Sequence, residues 1–179
     1  MTGLEASAHG ALEMGVRLLE APVHRDARGY LREMTAEGRP PFTIAQTNHS
    51  FSPQRGTLRG LHFQRPPADQ AKLVTVITGE VYDVAVDARQ GSSTRGWWCA
   101  ARLAEGSGQS LLIPAGFAHG FLTLAPDTHV VYHLSAGWDP GAEAGVRWDD
   151  PALAIPWPEP PVVIGERDRA LPTLAGLER

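Results

Sequence analysis

Short apolar runs recur along this chain about every 8 to 12 residues, with residues that favour turns between them. Runs such as "LRGLHFQ", "LVTVIT" and "VYDVAV" are rich in β-branched and aromatic residues, which favour strands. The turns between later runs read "EGSG", "PAG" and "APDT", and the chain shows no long amphipathic helix. This spacing predicts an all-β fold, a jelly roll whose interior can hold a ligand, with residues 1–179 forming a single domain.

The two ends of the chain differ from this strand-rich middle. Residues 1–15 are small and weakly patterned, so we expect a loose N-terminal arm. Residues from about 139 to 179 are rich in proline and acidic residues, which predicts an extended segment that wraps the body, with one short helix near Arg167. Within the middle, the two runs on either side of residues 78–80, "TGE", are a candidate β-hairpin.

Charge and composition exclude several functions. The net charge of −4 argues against general nucleic-acid binding but allows a local basic pocket for one small anion. No stretch approaches the ~18 apolar residues of a membrane span, and no signal peptide is visible, so we expect a cytoplasmic protein without a membrane partner. The one cysteine, Cys99, lies in an apolar run and excludes a disulfide within the chain; we expect it to be buried and without a chemical role.

Strand parity indicates where polar side chains point. In "LRGLHFQ", His62 and Gln64 point to one face and Leu61 and Phe63 to the other, because side chains alternate along a strand. Since the leucine and phenylalanine need the packed face, the histidine and glutamine face solvent or a polar cavity. Arg59 has the opposite parity from His62. The two can reach one cavity only if the strand bulges, which the glycine between them permits.

Neighbouring predicted strands carry further polar residues that extend this pattern. In "QTNHS", a glutamine and an asparagine also share one face, a lysine opens the next strand, and an aspartate lies in the strand after that. The residues expected to line one polar cavity are Gln46, Asn48, Arg59, His62, Lys72 and Asp83. The alternative is a solvated outer sheet face on which the same groups form salt bridges.

A second histidine, His119 in "PAGFAHGFL", raises the question of a metal. Metal-binding jelly rolls usually present two histidines two residues apart, a carboxylate and a distant histidine, whereas here Gln64 stands two residues after His62. Two histidines and an amide are a poor donor set for zinc or iron, so we predict no metal, with a metal-dependent jelly roll as an alternative. By position alone, Tyr132 is a packing residue more often than a chemical one. Trp138 is either an exposed loop aromatic or the wall of a pocket.

Longer motifs relate the chain to a known family. The stretches "GTLRGLHFQ", "QAKLVTVITGEVYDVAVDAR", "GSSTRGWW", "IPAGFAHGFL" and "VRWDDPALAIPWP" strongly resemble the dTDP-4-dehydrorhamnose 3,5-epimerases of the cupin superfamily. "DARGYLRE" and "GERDRALPTL" are weaker matches near the two ends. The resemblance covers about residues 15 to 176. It implies a cupin jelly roll that epimerises a dTDP-4-keto-6-deoxy sugar without a metal or a redox cofactor.

The activity that the resemblance implies is proton transfer next to a ketone. Protons on the carbons beside the carbonyl are acidic because the resulting anion is shared with the oxygen. His62 matches the family's base, and Asp168 in "GERDR" matches the carboxylate that orients it. Lys72 matches the positive charge beside the enolate oxygen. Tyr132 matches the acid that returns a proton to the opposite face of the ring.

Other matches concern substrate binding. The positions that hold the substrate and its diphosphate in the family correspond to Arg59, Gln46, Asn48 and His119, and we add Asp83 from the expected cavity. Arginine suits a diphosphate because its planar guanidinium offers paired donors.

The N-terminal motif implies a second chain. Arg28 and Glu33 match an element that, in the family, reaches a neighbouring subunit's nucleotide, which implies a homodimer. Family members often carry a phenylalanine at the position of Leu31. A stack on the thymine is therefore lost here or replaced, with Tyr30 the nearest candidate.

Two further departures bear on the product. Trp138 follows Gly137 and stands where many double epimerases carry a second tyrosine that lines the sugar pocket. The exchange leaves the base and acid in place but changes the wall that orients the ring, so an epimerase that inverts only C3 or only C5 is the first alternative. A non-catalytic nucleotide-sugar-binding cupin is the second, and the presence of base, acid and cation argues against it. His133 stands where a lysine is common, and we have no physical account of its effect.

Overall fold

The computed structural model describes residues 3–6 and 10–178, whose regular structure is almost entirely β-strand. The strands, numbered in chain order, are β1 (Glu5–Ala6), β2 (Arg17–Glu20), β3 (Val23–Asp26), β4 (Gly29–Arg32), β5 (Gln46–Ser52), β6 (Thr57–Gln64), β7 (Lys72–Thr78), β8 (Glu80–Asp87), β9 (Trp98–Ala104), β10 (Gln109–Ile113), β11 (Phe117–Thr123), β12 (Thr128–Leu134), β13 (Glu143–Gly145) and β14 (Val163–Ile164). The helical elements are α1 (Ala11–Met14), α2 (Glu166–Arg169) and a 3₁₀ helix at Leu174–Glu178. The all-β prediction is confirmed, and α2 is the short helix expected near Arg167. None of the described helices is long and apolar enough to cross a membrane.

Two sheets pack face to face as a cupin jelly roll. One has the strand order β1-β9-β8-β11-β6-β13, with β14 beside β6, and the other has the order β2-β10-β7-β12-β5. We call them the seven-stranded and the five-stranded sheet. Strands β3 and β4 form a separate hairpin.

The prediction of a β-hairpin around residues 78–80 is wrong. Strand β7 belongs to the five-stranded sheet and β8 to the seven-stranded sheet, so this turn carries the chain from one sheet to the other. Gly79 has a φ of +83°, and a Cβ on it would lie 2.4 Å from Thr128 Oγ1. Glycine therefore allows a sharp crossover that the local sequence does not distinguish from a hairpin.

Two apolar clusters explain why the central strands are buried on both faces. One lies between the sheets and includes Val74 and Phe117. The other lies on the outer face of the seven-stranded sheet and includes Leu61, against which the C-terminal segment packs Trp148 and Trp157. Because the outer face is covered by apolar residues, the polar residues of these strands point inward, toward the space between the sheets.

Both chain ends attach to the seven-stranded sheet. We expected residues 1–15 to form a loose arm, but in the described part β1 pairs with β9 and the Tyr82 hydroxyl donates a hydrogen bond of 2.9 Å to Glu5 Oε2. Residues 1–2 and 7–9 of that segment lie outside the described residues. At the other end, β13 and β14 both pair with β6, and α2 follows β14 directly. The C-terminal segment thereby places α2 beside the strand that carries His62.

Candidate active site

A cavity of about 560 Å³ lies between the two sheets. The residues predicted for the site that line it are Gln46, Asn48, Arg59, His62, Lys72, His119, Tyr132, Trp138 and Asp168. The alternative of a solvated outer sheet face is therefore wrong for these residues. Asp83, Arg28 and Glu33 were also predicted for the site, but they do not line this cavity.

A bulge in β6 brings Arg59 and His62 to the same cavity. On β11, His119 pairs with His62 and Phe121 pairs with Arg59, so the register shifts between the two pairs. Gly60 lies in the shifted region with a φ of +119°, and a Cβ on it would lie 2.7 Å from the His119 carbonyl oxygen. A larger residue would force the strands apart, so the glycine permits the bulge that strand parity required.

A buried carboxylate holds the His62 ring. Its Nε2 atom lies 2.6 Å from Asp168 Oδ1, and Asp168 Oδ2 accepts a hydrogen bond of 2.9 Å from the Gly60 backbone N–H. Burial tends to raise the pKa of Asp168, but the hydrogen bonds from His62 and Gly60 bring it below its ordinary value. The ionised carboxylate accepts the Nε2 proton, so Nδ1 is left as the basic nitrogen, without a hydrogen-bond partner among the described residues.

Lys72 places a buried positive charge next to this pair. Its side chain is almost fully buried, and Nζ donates a hydrogen bond of 3.0 Å to the His62 carbonyl oxygen. Burial lowers the pKa of Lys72 to about 8, an effect limited by the negative charges of Asp83 and Glu143. At pH 7 most of the molecules therefore still carry the ammonium form. A cation in a water-poor cavity is suited to stabilise a negative oxygen.

A second histidine–carboxylate pair lies beside the first. His119 Nε2 is 2.6 Å from Asp83 Oδ1, and both side chains are buried. Burial lowers the pKa of His119, although the carboxylate of Asp83 opposes the effect. Asp83 differs from its predicted role: strand parity turns it inward, but it lies beneath His119 and is shielded from the cavity.

The wall formed by the five-stranded sheet is chemically different. Tyr132 on β12 pairs with Asn48 on β5, and the Tyr132 ring meets the edge of the His119 ring at 6.4 Å between centroids. Gln46 donates a hydrogen bond of 2.7 Å from Nε2 to Asn48 Oδ1. A phenol and two amides thus face the histidines of the other sheet across the cavity.

Trp138 lies at the rim of the cavity. The sequence left open whether it is an exposed loop aromatic or part of a pocket wall, and in the structure it is both. Its side chain is 59% exposed, and its backbone N–H donates a hydrogen bond of 2.8 Å to Gln46 Oε1. Its indole Nε1 donates to Glu143 Oε2 at 3.3 Å, and Glu143 also forms a salt bridge with Arg167. Gln70 donates to the Gly137 carbonyl oxygen at 2.9 Å.

Three residues of this rim were not predicted for the site: Gln70, Glu143 and Arg167. Arg167 directly precedes Asp168 in the sequence, which was an available signal. Glu143 and Gln70 lie in loop-like stretches whose pairing is long-range, and the sequence contains no signal for them.

The N-terminal residues predicted to bind nucleotide lie away from the cavity of their own chain. Arg28 is at the turn of the β3–β4 hairpin, where it forms an exposed salt bridge with Asp26. Glu33 follows β4, and its Oε2 atom lies 3.5 Å from Arg39 Nη2. Leu31, on β4 of the same hairpin and paired with His24, is 71% exposed. Within residues 3–6 and 10–178, no group of three or more histidine, cysteine, aspartate or glutamate side chains is placed to hold a metal ion. Cys99 is buried, as expected.

Comparison with known proteins gives one consistent result. A family model described as dTDP-4-dehydrorhamnose 3,5-epimerase matches residues 12–176. A protein of that name from Sinorhizobium fredii is 42% identical over 168 residues, which cover 90% of this chain and 86% of that protein.

Solved structures agree with the sequence comparison. The crystal structure of a dTDP-4-dehydrorhamnose 3,5-epimerase from Bacillus anthracis with TDP and PPi bound has a TM-score of 0.87 and 37% identity, covering 94% of this chain and 99% of that one. A 3'-monoepimerase from Streptomyces bikiniensis in complex with dTDP-quinovose has a TM-score of 0.84 and 36% identity, covering 92% of this chain and 86% of that one. Enzymes that differ in the number of inverted carbons therefore share this fold.

Proposed function

The chain belongs to the dTDP-4-dehydrorhamnose 3,5-epimerase family, and from that premise we propose that it is an isomerase that inverts both C3 and C5 of a dTDP-4-keto-6-deoxyhexose. The reaction converts dTDP-4-dehydro-6-deoxy-D-glucose into dTDP-4-dehydro-L-rhamnose. The observation that carries this proposal is the placement of His62 and Tyr132 on opposite walls of one cavity. Inversion requires that a proton leave one face of a ring carbon and return to the other.

Proton removal is assigned to the histidine wall. His62 Nδ1 takes the proton from the carbon beside the ketone, the C–H electron pair moves toward the C4 oxygen, and an enolate forms. Asp168, 2.6 Å from Nε2, stabilises the imidazolium that results. Lys72 provides the positive charge beside the enolate oxygen, and its pKa of about 8 keeps it charged at neutral pH.

Proton return is assigned to the opposite wall. Tyr132 donates its phenolic proton to the ring carbon from the face away from His62. The phenolate then regains a proton from solvent, and the His62 imidazolium releases the proton it took to solvent, so both groups are ready for another cycle. A second cycle at the other carbon completes the double inversion. The same base and acid serve both carbons if the sugar ring turns between the cycles, because both carbons flank the one ketone.

Substrate binding is assigned to the polar groups around these two. Arg59 lies at the cavity with its guanidinium held by Ser52 Oγ at 3.2 Å and by the Phe51 carbonyl oxygen at 2.9 Å, which leaves donors for a diphosphate. Gln46, Asn48, His119 and Trp138 complete the enclosure. The binding of TDP and PPi by the Bacillus anthracis relative is consistent with a diphosphate site of this kind.

A homodimer accounts for the two residues that the cavity of one chain does not include. Arg28 and Glu33 lie on or beside an exposed hairpin whose second strand carries the apolar, exposed Leu31. We propose that this hairpin reaches the nucleotide end of a partner's cavity. Sedimentation equilibrium of the purified protein tests the dimer, and a monomer at micromolar concentration contradicts it.

The test of the reaction is proton NMR of the protein with dTDP-4-keto-6-deoxyglucose in deuterium oxide. Deuterium at both C3 and C5, together with the L-rhamno product, is the expected result. Deuterium at one carbon only favours a mono-epimerase, the alternative suggested by Trp138 and by the likeness to a 3'-monoepimerase. Absence of exchange at either carbon contradicts the proposal and leaves two alternatives, a different keto-sugar substrate or a non-catalytic nucleotide-sugar-binding protein, which a substrate-binding measurement would separate.

A further inference from the structure

The chain has 16 basic residues other than histidine, and only one of them, Lys72, is a lysine. All the others are arginines, many of them exposed. The single lysine is almost fully buried in the wall of the cavity. A buried ammonium is costly unless negative charge lies nearby, so the surroundings of this one group need explanation.

Lys72 has no direct carboxylate partner. Its Nζ atom donates to a backbone carbonyl, and no salt bridge within 4.0 Å connects it to an acidic side chain in the described part of the chain. The titratable groups that face it come from five strands: His62 on β6, Asp83 on β8, His119 on β11, Tyr132 on β12 and Glu143 on β13.

Of the two carboxylates in this set, only Asp83 is without a cationic partner. Glu143 already forms a salt bridge with Arg167, so its charge is largely neutralised at the rim. Asp83 is fully buried, and its Oδ1 atom accepts from His119. Its Oδ2 atom has no hydrogen-bond partner in the described structure. A fully buried carboxylate with one bare oxygen retains an uncompensated charge that acts through a medium of low polarity.

We propose that Asp83 is a positioning residue for the reaction: without touching the substrate, its buried carboxylate fixes a proton on His119 Nε2 and holds the positive charge on Lys72. The inference rests on the proposed epimerase function for its kinetic part only. The three groups form a neutral unit of one anion, one uncharged imidazole and one ammonium. In this arrangement the cation lies where an enolate oxygen can meet it, and Nδ1 of the imidazole is free toward the cavity.

The direction of the pKa changes agrees with this arrangement. Burial lowers the pKa of Lys72, and Asp83 is the largest influence that opposes the change. Burial also lowers the pKa of His119, to which the nearby Lys72 contributes, so the proton shared within the unit belongs on the lysine. Without the carboxylate, only the partly neutralised Glu143 would support the ammonium.

The substitution Asp83→Asn isolates the charge. The amide oxygen can still accept the hydrogen bond from His119 Nε2, and the amide nitrogen takes the place of an oxygen that has no partner, so shape and hydrogen bonding are kept. Protein grown with isotopically labelled lysine gives one side-chain signal, because the chain has one lysine. NMR titration of that signal reports the pKa of Lys72 without substrate or turnover.

We expect the Lys72 midpoint to fall by about one unit or more in Asp83→Asn, as removal of a close opposite charge predicts. The matched control, Glu143→Gln, removes the other carboxylate and is expected to cause a smaller fall. An unchanged midpoint in Asp83→Asn, or a larger fall in Glu143→Gln, overturns the proposal. If Asp83→Asn does not fold, the wild-type titration still decides, since a Lys72 midpoint below pH 7 in the wild type also overturns it.

Kinetics give a second readout that a purely structural role would not change. With a midpoint lowered by one unit, the ratio of wild-type to variant exchange rates is expected to grow about fourfold between pH 6.5 and pH 8. A ratio that is constant with pH contradicts the role of Asp83, whereas a wild-type enzyme without exchange contradicts the proposed function and leaves the NMR titration unaffected.

Discussion

The two walls of the cavity differ in how their polar groups are held. On the seven-stranded sheet, His62 and His119 each have a carboxylate 2.6 Å from Nε2. On the five-stranded sheet, Tyr132 and Asn48 lie side by side with no carboxylate bonded to either in the described structure. The first wall is built to accept a proton at His62, because the ionised Asp168 stabilises an imidazolium there. The second presents a phenol beside two amides, which can donate hydrogen bonds into the cavity.

The origin of this difference lies in the surroundings of the sheets. The C-terminal segment covers the outer face of the seven-stranded sheet, and β14 leads into the helix that carries Asp168. Asp83 is on β8, a strand in the interior of the same sheet. Both carboxylates therefore reach only this wall. Asymmetry between the walls is what an inverting enzyme needs, since base and acid must not exchange roles within one cycle.

The largest expected effect comes from removing the base. His62→Ala is expected to lower deuterium exchange at both C3 and C5 by about 100- to 10,000-fold, because one histidine begins both cycles. NMR exchange rates in deuterium oxide provide the measurement, with circular dichroism to verify folding. His129→Ala is the control, since that histidine does not line the cavity and its side chain, among the described residues, hydrogen-bonds only to the ring of His49, so its removal should leave exchange unchanged. A wild-type exchange rate in His62→Ala would remove this residue from the mechanism.

The next effect separates the two walls. Tyr132→Phe is expected to leave exchange at C3 and C5 within a few-fold of the wild type while inversion falls by about 100-fold or more, because proton removal needs only the opposite wall. Product analysis by NMR distinguishes exchange with retention from inversion. Tyr82→Phe removes a hydroxyl that donates to Glu5, away from the cavity, and should leave both rates unchanged. Full inversion by Tyr132→Phe would show that another group is the acid.

Strand parity allowed much of the cavity to be predicted, because side-chain alternation is a local rule. It predicted that His62 and Gln64 share one polar face, and that Arg59 could join them only through the bulge that the structure places at Gly60. The same rule predicted that Asp83 points inward. It did not predict how far this side chain lies from the cavity, because that depends on the His119 side chain that covers it. Local signals failed at residues 78–80, where a hairpin and a crossover between sheets need the same residues.

Long-range pairing limited the rest. Asp168 is 106 residues from His62 in the chain, and only the family resemblance related the two. Glu143 reaches the cavity because β13 pairs with β6. This strand has only three residues, which is too short to leave a periodic pattern in the sequence. The inward position of Lys72 followed from its strand, but its depressed pKa follows from burial, which is a property of the assembled sandwich.

Lys72 provides a prediction in which stability and activity change in opposite directions. Folding lowers the pKa of this group from 10.5 to about 8, so the ammonium destabilises the folded state by about 3 kcal/mol at pH 7. Lys72→Met removes that penalty but leaves the His62 carbonyl without its donor, which costs about 1 kcal/mol. We expect a net gain of about 1 to 3 kcal/mol at pH 7 in denaturant unfolding, together with a loss of exchange activity.

The sign of the pH dependence gives a sharper test of the same group. The penalty is fully present below about pH 8, where Lys72 is charged in both states, and it disappears as pH rises toward 10.5. The stability advantage of Lys72→Met should therefore shrink over that range, while wild-type activity falls as pH rises through about 8. An advantage that is the same at pH 7 and pH 10 would mean that packing, rather than charge, is responsible.

The smallest expected effect lies at the rim, where the two walls are joined. Trp138 is held by its backbone N–H to Gln46 of the five-stranded sheet and by its indole N–H to Glu143 of the seven-stranded sheet. Trp138→Phe keeps the backbone hydrogen bond and removes only the indole hydrogen bond, which is long at 3.3 Å and exposed. We therefore expect the exchange rate to fall about twofold, which corresponds to about 0.5 kcal/mol in the reaction barrier. The ratio of deuterium at C3 to deuterium at C5, measured by NMR, should not change, because the bonds from Gln46 and Gln70 still fix the loop.

Gln46→Leu is the matched comparison, since it releases the backbone of Trp138 while keeping the indole. If the ratio changes in Trp138→Phe and not in Gln46→Leu, the indole itself orients the sugar ring, and the position of the loop does not.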